Sequence, residues 1–169
     1  KGLNKEQQAF ARKEGAGMNL LAFTTKYKPK TLIGLTACPQ LFKEDLIKAM
    51  AEGVERPIIF PLSNPTSSAE CTAEQAYNWT NGKCVFASGS PFDPVKIGDK
   101  IYTPTQCNNM FVFPGIGLGA TLAGAKRVTD RMLYVSAEAL ASYVTREELD
   151  DGKVFPKVSD IRNVSKSVA

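Results

Sequence analysis

Short apolar runs alternate along this chain with longer stretches in which hydrophobic residues return at helical spacing. Thr31-Leu32-Ile33-Gly34-Leu35-Thr36-Ala37, Ile58-Ile59-Phe60-Pro61-Leu62 and Cys84-Val85-Phe86-Ala87 are compact, apolar and partly β-branched, and each reads as a buried strand. Between the first two, Gln40–Glu52 sets Phe42, Leu46, Ile47 and Met50 on one helical face, and Gly53 is a natural stop. Between the second and third, Thr72-Ala73-Glu74-Gln75 has the form of a capping box and predicts a helix through Ala76, Tyr77 and Trp79, ended by Asn81-Gly82. Strands alternating with helices over short connections give the βαβαβ rhythm of a parallel sheet. Their continuous rather than alternating apolar character predicts cover on both faces.

The flanks are read the same way. Lys5–Glu14 predicts a short helix broken by Gly15-Ala16-Gly17. After Pro91-Phe92-Asp93-Pro94 the rhythm changes, and Ile97-Gly98-Asp99-Lys100-Ile101-Tyr102 predicts a hairpin turning at Gly-Asp. Phe111-Val112-Phe113-Pro114 leads into a glycine-rich helix over Gly115–Val128. A longer helix over Asp130–Val144 carries Leu133, Ala137, Leu140 and Val144 on one face, and Thr145-Arg146-Glu147-Glu148 caps a short acidic helix. The segment from Val154 to Ala169 ends in helix. No repeat or low-complexity linker interrupts the chain, which predicts a single α/β domain over residues 1–169.

Small polar residues gather at the ends of the predicted strands: Leu62-Ser63-Asn64-Pro65-Thr66, Ala87-Ser88-Gly89-Ser90-Pro91-Phe92 and, before Phe111, Asn108-Asn109. In open α/β sheets ligands bind in the crevice beyond the carboxyl ends of the strands. An asparagine side chain offers a donor and an acceptor at fixed separation, so this edge suits a small ligand with hydroxyl and carboxylate groups. Turn chemistry explains each asparagine separately; their common placement at strand edges favours a ligand. Glu70 and Asp93 are the carboxylates near these edges, and neither belongs to a pair or triad at metal-binding spacing.

Composition narrows the chemistry. The 169 residues are 43% hydrophobic and 22% charged, ordinary globular values. A net charge of +4 with scattered Lys and Arg gives no nucleic-acid footprint, and the cluster Lys26, Lys28, Lys30 reads as a solvated face. No run approaches the ~18 apolar residues of a membrane span. The chain has no histidine, so Ser-His-Asp and Cys-His catalysis lie outside it, and Cys38, Cys71, Cys84 and Cys107 lack zinc spacing. Reduced, mostly buried thiols fit an intracellular, soluble protein. Gly115-Ile116-Gly117-Leu118-Gly119 is G-x-G-x-G rather than the dinucleotide fingerprint G-x-G-x-x-G, and reads as a stripe of small residues that lets a helix pack closely.

Arg56 to Thr66, Glu70 to Tyr77, Phe86 to Phe92, Asn108-Asn109 and Phe113-Pro114-Gly115, in this order, closely resemble the malic enzymes, the NAD(P)-dependent decarboxylating malate dehydrogenases. The resemblance implies the C-terminal part of that family's NAD(P)-binding domain: a Rossmann-like, doubly wound, mainly parallel sheet with C-terminal helices. It implies substrate binding by Asn64, Asn108 and Asn109, and cofactor binding by Gly34, Thr36, Ala37, Asn64, Ser88 and Gly89. Around Thr36 and Ala37 the family usually shows more Gly or Ser, and Cys38-Pro39 is unusual.

The implied reaction is oxidation of malate by NAD or NADP followed by loss of CO2 to give pyruvate, in a homo-oligomer. The family's Tyr and Lys acid–base pair, its three metal-holding carboxylates for Mg2+ or Mn2+ and its G-x-G-x-x-G turn have no counterpart here. The chain is therefore expected to be part of a longer protein, with no catalytic or metal-binding residue of its own. Gln7, where NADP-using members often carry Lys, leans towards NAD. The alternative is a catalytically incompetent fragment or an accessory, structural polypeptide within a larger assembly.

Overall fold

The computed structural model describes residues 2–169. Two short helices lead in. α1 (Lys5–Phe10) is closed by a capping box in which Asn4 Oδ1 accepts from the Gln7 amide at 2.7 Å and Gln7 Oε1 accepts from the Asn4 amide at 3.0 Å. α2 (Leu20–Tyr27) starts at an Asn19 N-cap and stops at Lys28, whose φ of 47° is left-handed. The predicted helix through Glu14 ends at Phe10, and α2 was not predicted.

The central unit then follows the expected rhythm: β1 (Thr31–Gly34), α3 (Glu44–Gly53), β2 (Ile58–Pro61), α4 (Ala73–Trp79) and β3 (Val85–Ser88). Next come the hairpin of β4 (Val95–Ile97) and β5 (Lys100–Tyr102), turning at Gly98-Asp99, and β6 (Thr105–Gln106). The main sheet has the order β1-β2-β3-β6 and every pairing in it is parallel. β6 was not anticipated. It is two polar residues long and is held through Ala87 opposite Thr105 and Ser88 opposite Gln106.

Burial explains the sheet. α3 lays Leu46, Ile47 and Met50 against Ile59 and Leu32, and Phe42, just ahead of the helix, is 2% exposed. Each such side chain contributes roughly 1.5–3 kcal/mol on burial. α4 packs on β3 and the hairpin, with Tyr77 beside Phe86 and Tyr102 at 5.6 and 4.9 Å between ring centroids. The expected cover on both faces holds only in part. All four residues of β3 are buried, whereas β1 alternates, leaving Thr31 and Ile33 exposed. Strand β1 also stops at Gly34, short of the predicted Ala37: the Thr36 amide leaves the ladder to donate to Glu70, and the backbone is left-handed at Ala37, where φ is 51°.

The C-terminal third is helical: α5 (Phe113–Leu122), α6 (Asp130–Tyr143), α7 (Arg146–Asp150) and α8 (Ile161–Val168). The small-residue stripe does what spacing predicts. A Cβ on Gly115 would lie 2.6 Å from Val168 Cβ and 2.7 Å from Ser165 O, so glycine lets α5 close on α8. α5 ends at Leu122 rather than Val128, ahead of Gly124 with its φ of +61°. α6 starts at Asp130 as predicted, with Thr129 as its N-cap, and α7 follows the predicted Thr145 cap. The predicted apolar face of α6 holds only towards its end: Val144 is buried and Leu140 half-buried, but Leu133 is 49% exposed and Ala137 is exposed, while Ser136 is buried where α6 packs with α8 and α5. Arg56 donates to the carbonyls of Leu149 and Asp150 at 2.8 and 3.4 Å, which ties the end of α7 to the start of β2.

Candidate functional site

Parallel strands deliver their carboxyl ends to one edge. The loops after β1, β2, β3 and β6 therefore emerge side by side; Gly34 and Ser88 close strands β1 and β3, and the other candidate binding residues named from the sequence lie in the loops that follow the strands. The ladder runs one residue past the strands: the Leu62 amide donates to Gly34 O at 2.8 Å, Gly89 to Pro61 O at 3.1 Å and Cys107 to Ser88 O at 2.8 Å. The edge is a rigid base for whatever binds above it.

Between the first two loops lies Glu70, buried to 0% exposure. Its Oε1 accepts from the Thr36 amide at 2.9 Å, the Thr36 hydroxyl at 2.8 Å and the Ser63 hydroxyl at 2.5 Å. Ser63 Oγ in turn accepts from the Ala37 amide at 2.9 Å. Burial pushes the Glu70 carboxyl up. The Ser63 hydroxyl and the Thr36 donors favour the charged form more strongly and hold it below the ordinary 4.5. A Cβ on Gly34 would lie 2.7 Å from Glu70 Cγ, so this glycine is required by the close approach of the glutamate.

Between the second and third loops, the buried Ser90 hydroxyl donates to Asn64 Oδ1 at 2.5 Å. Asn64 itself is exposed and precedes a cis peptide bond to Pro65. Ser88 Oγ donates back to Ser90 O at 2.8 Å, and Gln106 Nε2 donates to Gly89 O at 3.1 Å. A Cβ on Gly89 would lie 2.8 Å from the Leu62 carbonyl carbon, so glycine lets the ends of β2 and β3 close together. After β6, Asn108 Oδ1 accepts from the Met110 amide at 2.9 Å, which occupies it as the cap of a short 3-10 turn. Asn109, the first residue of that turn, is exposed.

The structure thus gathers Gly34, Thr36, Ala37, Asn64, Ser88, Gly89, Asn108 and Asn109 along one edge, and gives them unequal surfaces. Thr36, Ala37, Asn64 and Asn109 are exposed, whereas Ser88 and Gly89 are buried beneath them. Sequence reasoning missed Ser63 and Ser90 as supports and named Glu70 only as a stray carboxylate. The signal for Glu70 was a lone charge within Ser-Ala-Glu-Cys-Thr-Ala. A cavity of about 590 Å3 opens at the other edge, among Arg56, Tyr77, Lys83 and Tyr102. There Arg56, Lys83 and Lys100 are matched by Glu55, Asp150 and Asp151, so it has no net pull on an ion of either sign. Among the described residues no three His, Cys, Asp or Glu side chains converge to hold a metal ion, and no helix is long and apolar enough to cross a membrane.

A parallel sheet flanked by helices, with glycine, serine and asparagine at its carboxyl edge, is the architecture of a Rossmann-like nicotinamide dinucleotide-binding domain. The family model described as "Malic enzyme, NAD binding domain" matches residues 1–169, and the chain belongs to that family. It is 46% identical over 169 residues to a NADP-dependent malic enzyme of Dictyostelium discoideum, covering 99% of this chain and 31% of that protein. It is 47% identical over 163 residues to NADP-dependent malic enzyme 2 of Arabidopsis thaliana, covering 96% and 28%. It is 49% identical over 150 residues to a chloroplastic NADP-dependent malic enzyme of Oryza sativa subsp. japonica, covering 89% and 24%. The chain spans about a third or less of the length of these relatives. The lean towards NAD drawn from Gln7 finds no support, since these relatives are named for NADP and the Gln7 side chain closes the cap of α1.

Proposed function

We propose that this chain forms part of the cofactor and substrate crevice of a malic enzyme that oxidises malate and releases CO2 and pyruvate, using NADP. The observation that carries this reading is the placement of Asn64 and Asn109 on the same carboxyl edge of a parallel sheet, in a chain matched along its whole length by the family. The names of the relatives support malate as substrate and NADP as cofactor.

When bound, the nicotinamide supplies the acceptor for the hydride that leaves malate. The chain's own part is to bind and orient. Thr36, Ala37 and Asn64 offer the exposed surface for the dinucleotide, above a floor made by Gly34, Ser88 and Gly89. Asn109, with Asn108 bracing its turn, offers one donor and one acceptor to the substrate's carboxylate and hydroxyl groups. Neither asparagine titrates, so both act by holding the reacting carbon in place. Among the described residues no three carboxylates converge, and Glu70 is engaged by internal donors. A divalent cation for the decarboxylation would be held by other parts of the enzyme.

The test is malate-dependent NADPH formation, with release of CO2, by the full-length protein that contains this chain. Turnover that depends on malate and NADP is the expected result. A full-length protein that binds NADPH yet never turns over malate would have the accessory role instead.

A further inference from the structure

We propose that Glu70 is a positioning residue of the crevice, the internal anion around which the loops after β1 and β2 are set for the dinucleotide. This rests on the reading of the crevice as a dinucleotide site. Three consecutive amides of the first loop end, directly or through one hydroxyl, on a single oxygen. The Thr36 amide reaches Glu70 Oε1 itself. The Ala37 amide reaches it through Ser63 Oγ, and the Cys38 amide, 3.2 Å from Thr36 Oγ1, through the Thr36 hydroxyl. Successive amides around a left-handed residue make an anion-binding concavity. Ala37 is that residue, and the anion is part of the protein.

Glu70 belongs to the connection after β2, and the same oxygen closes that connection back onto its start at Ser63, the neighbour of Asn64. Glu70 therefore fixes the spacing of two loops that both carry candidate ligand-facing residues. Its backbone is anchored from a third side, where Glu70 O accepts from the Phe42 amide at 2.9 Å.

Packing alone does not account for a glutamate here. Glu70 Oε2 is buried with no hydrogen-bond partner among the described residues, and it would lie 2.7 Å from a Cβ on Gly34. A buried acceptor left unpaired is costly. Methionine of similar length would fill the space without that cost. What methionine would lose is the common acceptor.

The experiment compares Glu70→Met, Glu70→Gln and Ser63→Ala in the full-length protein, by NADPH titration and by steady-state kinetics. Glu70→Met is expected to weaken NADPH binding about tenfold while changing kcat at saturating substrates by less than about twofold. Glu70→Gln keeps an acceptor at the same place and is expected to recover binding to within about threefold of the wild type. Ser63→Ala is expected to shift binding in the same direction by about threefold. A folded Glu70→Met variant with wild-type NADPH affinity overturns the proposal, as does a glutamine variant no better than the methionine one. Should Glu70→Met not fold, Ser63→Ala decides, and unchanged affinity there overturns it. A wild-type protein that binds no NADPH overturns the crevice reading instead, before any variant is made.

Discussion

The hydroxyl of Ser90 donates to the side-chain oxygen of Asn64 at 2.5 Å, so a buried residue after β3 sets the amide orientation of an exposed residue after β2. With Oδ1 engaged, the Asn64 amide nitrogen is left as the donor of the pair. Ser90→Ala releases this constraint without touching the exposed surface. It is expected to lower kcat/KM for malate by roughly threefold to tenfold, the worth of one good hydrogen bond. Wild-type kinetics in that variant would show that the orientation of Asn64 is irrelevant to turnover.

The adjacent asparagines differ in surroundings: Asn108 caps a turn and Asn109 is exposed. Asn109→Ala is expected to raise KM for malate by about tenfold or more while leaving NADPH affinity within about twofold. Asn108→Ala removes the acceptor for the Met110 amide and is expected to cost about 1 kcal/mol of stability, as cap losses do. Thermal melts and malate titrations on the two variants distinguish these effects. Unchanged malate kinetics in Asn109→Ala would remove that residue from the crevice.

Two glycines of α5 should respond in opposite directions. Gly115→Ala pushes a Cβ into Val168 and the Ser165 carbonyl, neither able to swing away, and is expected to destabilise by about 1–3 kcal/mol. Gly117→Ala meets nothing within 4 Å and is expected to stabilise the helix by roughly 0.5–1 kcal/mol. Denaturant midpoints of the two variants give the comparison directly.

Glu70 makes stability depend on acidity. Its folded pKa lies below the ordinary 4.5. The unfolded chain therefore binds its proton first as pH falls, and the stability this group contributes is present above 4.5 and lost as pH drops through the folded value. Glu70→Gln is expected to flatten the acid limb of a Tm-against-pH profile below about pH 4.5 and to leave the slope near neutrality unchanged. A variant whose acid limb matched the wild type would assign that limb to other carboxylates.

What the sequence disclosed depended on the range of the forces involved. The apolar strands β2 and β3 and the Thr145 start of α7 are local signals, readable within a few residues. Helix α2 escaped because it buries only Thr24 and has no strong apolar face, and its left-handed end at Lys28 is a backbone feature that lysine does not announce. Strand β6 exists because β3 offers it a ladder, and nothing in Thr105-Gln106 itself requires a strand. The inward row of α6 is set by its packing with α8 and α5, which buries Ser136 and leaves Leu133 exposed. The placement of Asn64, Asn108 and Asn109 beyond strand ends was legible from the polar residues that follow each apolar run. The role of Glu70 was not, since its donor Thr36 lies 34 residues earlier in the chain.

The graded cover of the sheet sets an order in which the molecule lets go. Strand β3, buried along its whole length and paired on both sides, belongs to the last part to open, and its amide protons should be the slowest to exchange with solvent. Strand β1, paired only with β2 among the described residues and with Ile33 in contact with water, should exchange earlier. The loop that carries Thr36 and Ala37 hangs from that looser strand, while Ser88 and Gly89 sit on the tight one. One wall of the crevice is thereby anchored and the other can yield, so a ligand arriving there would tighten the molecule from its soft side.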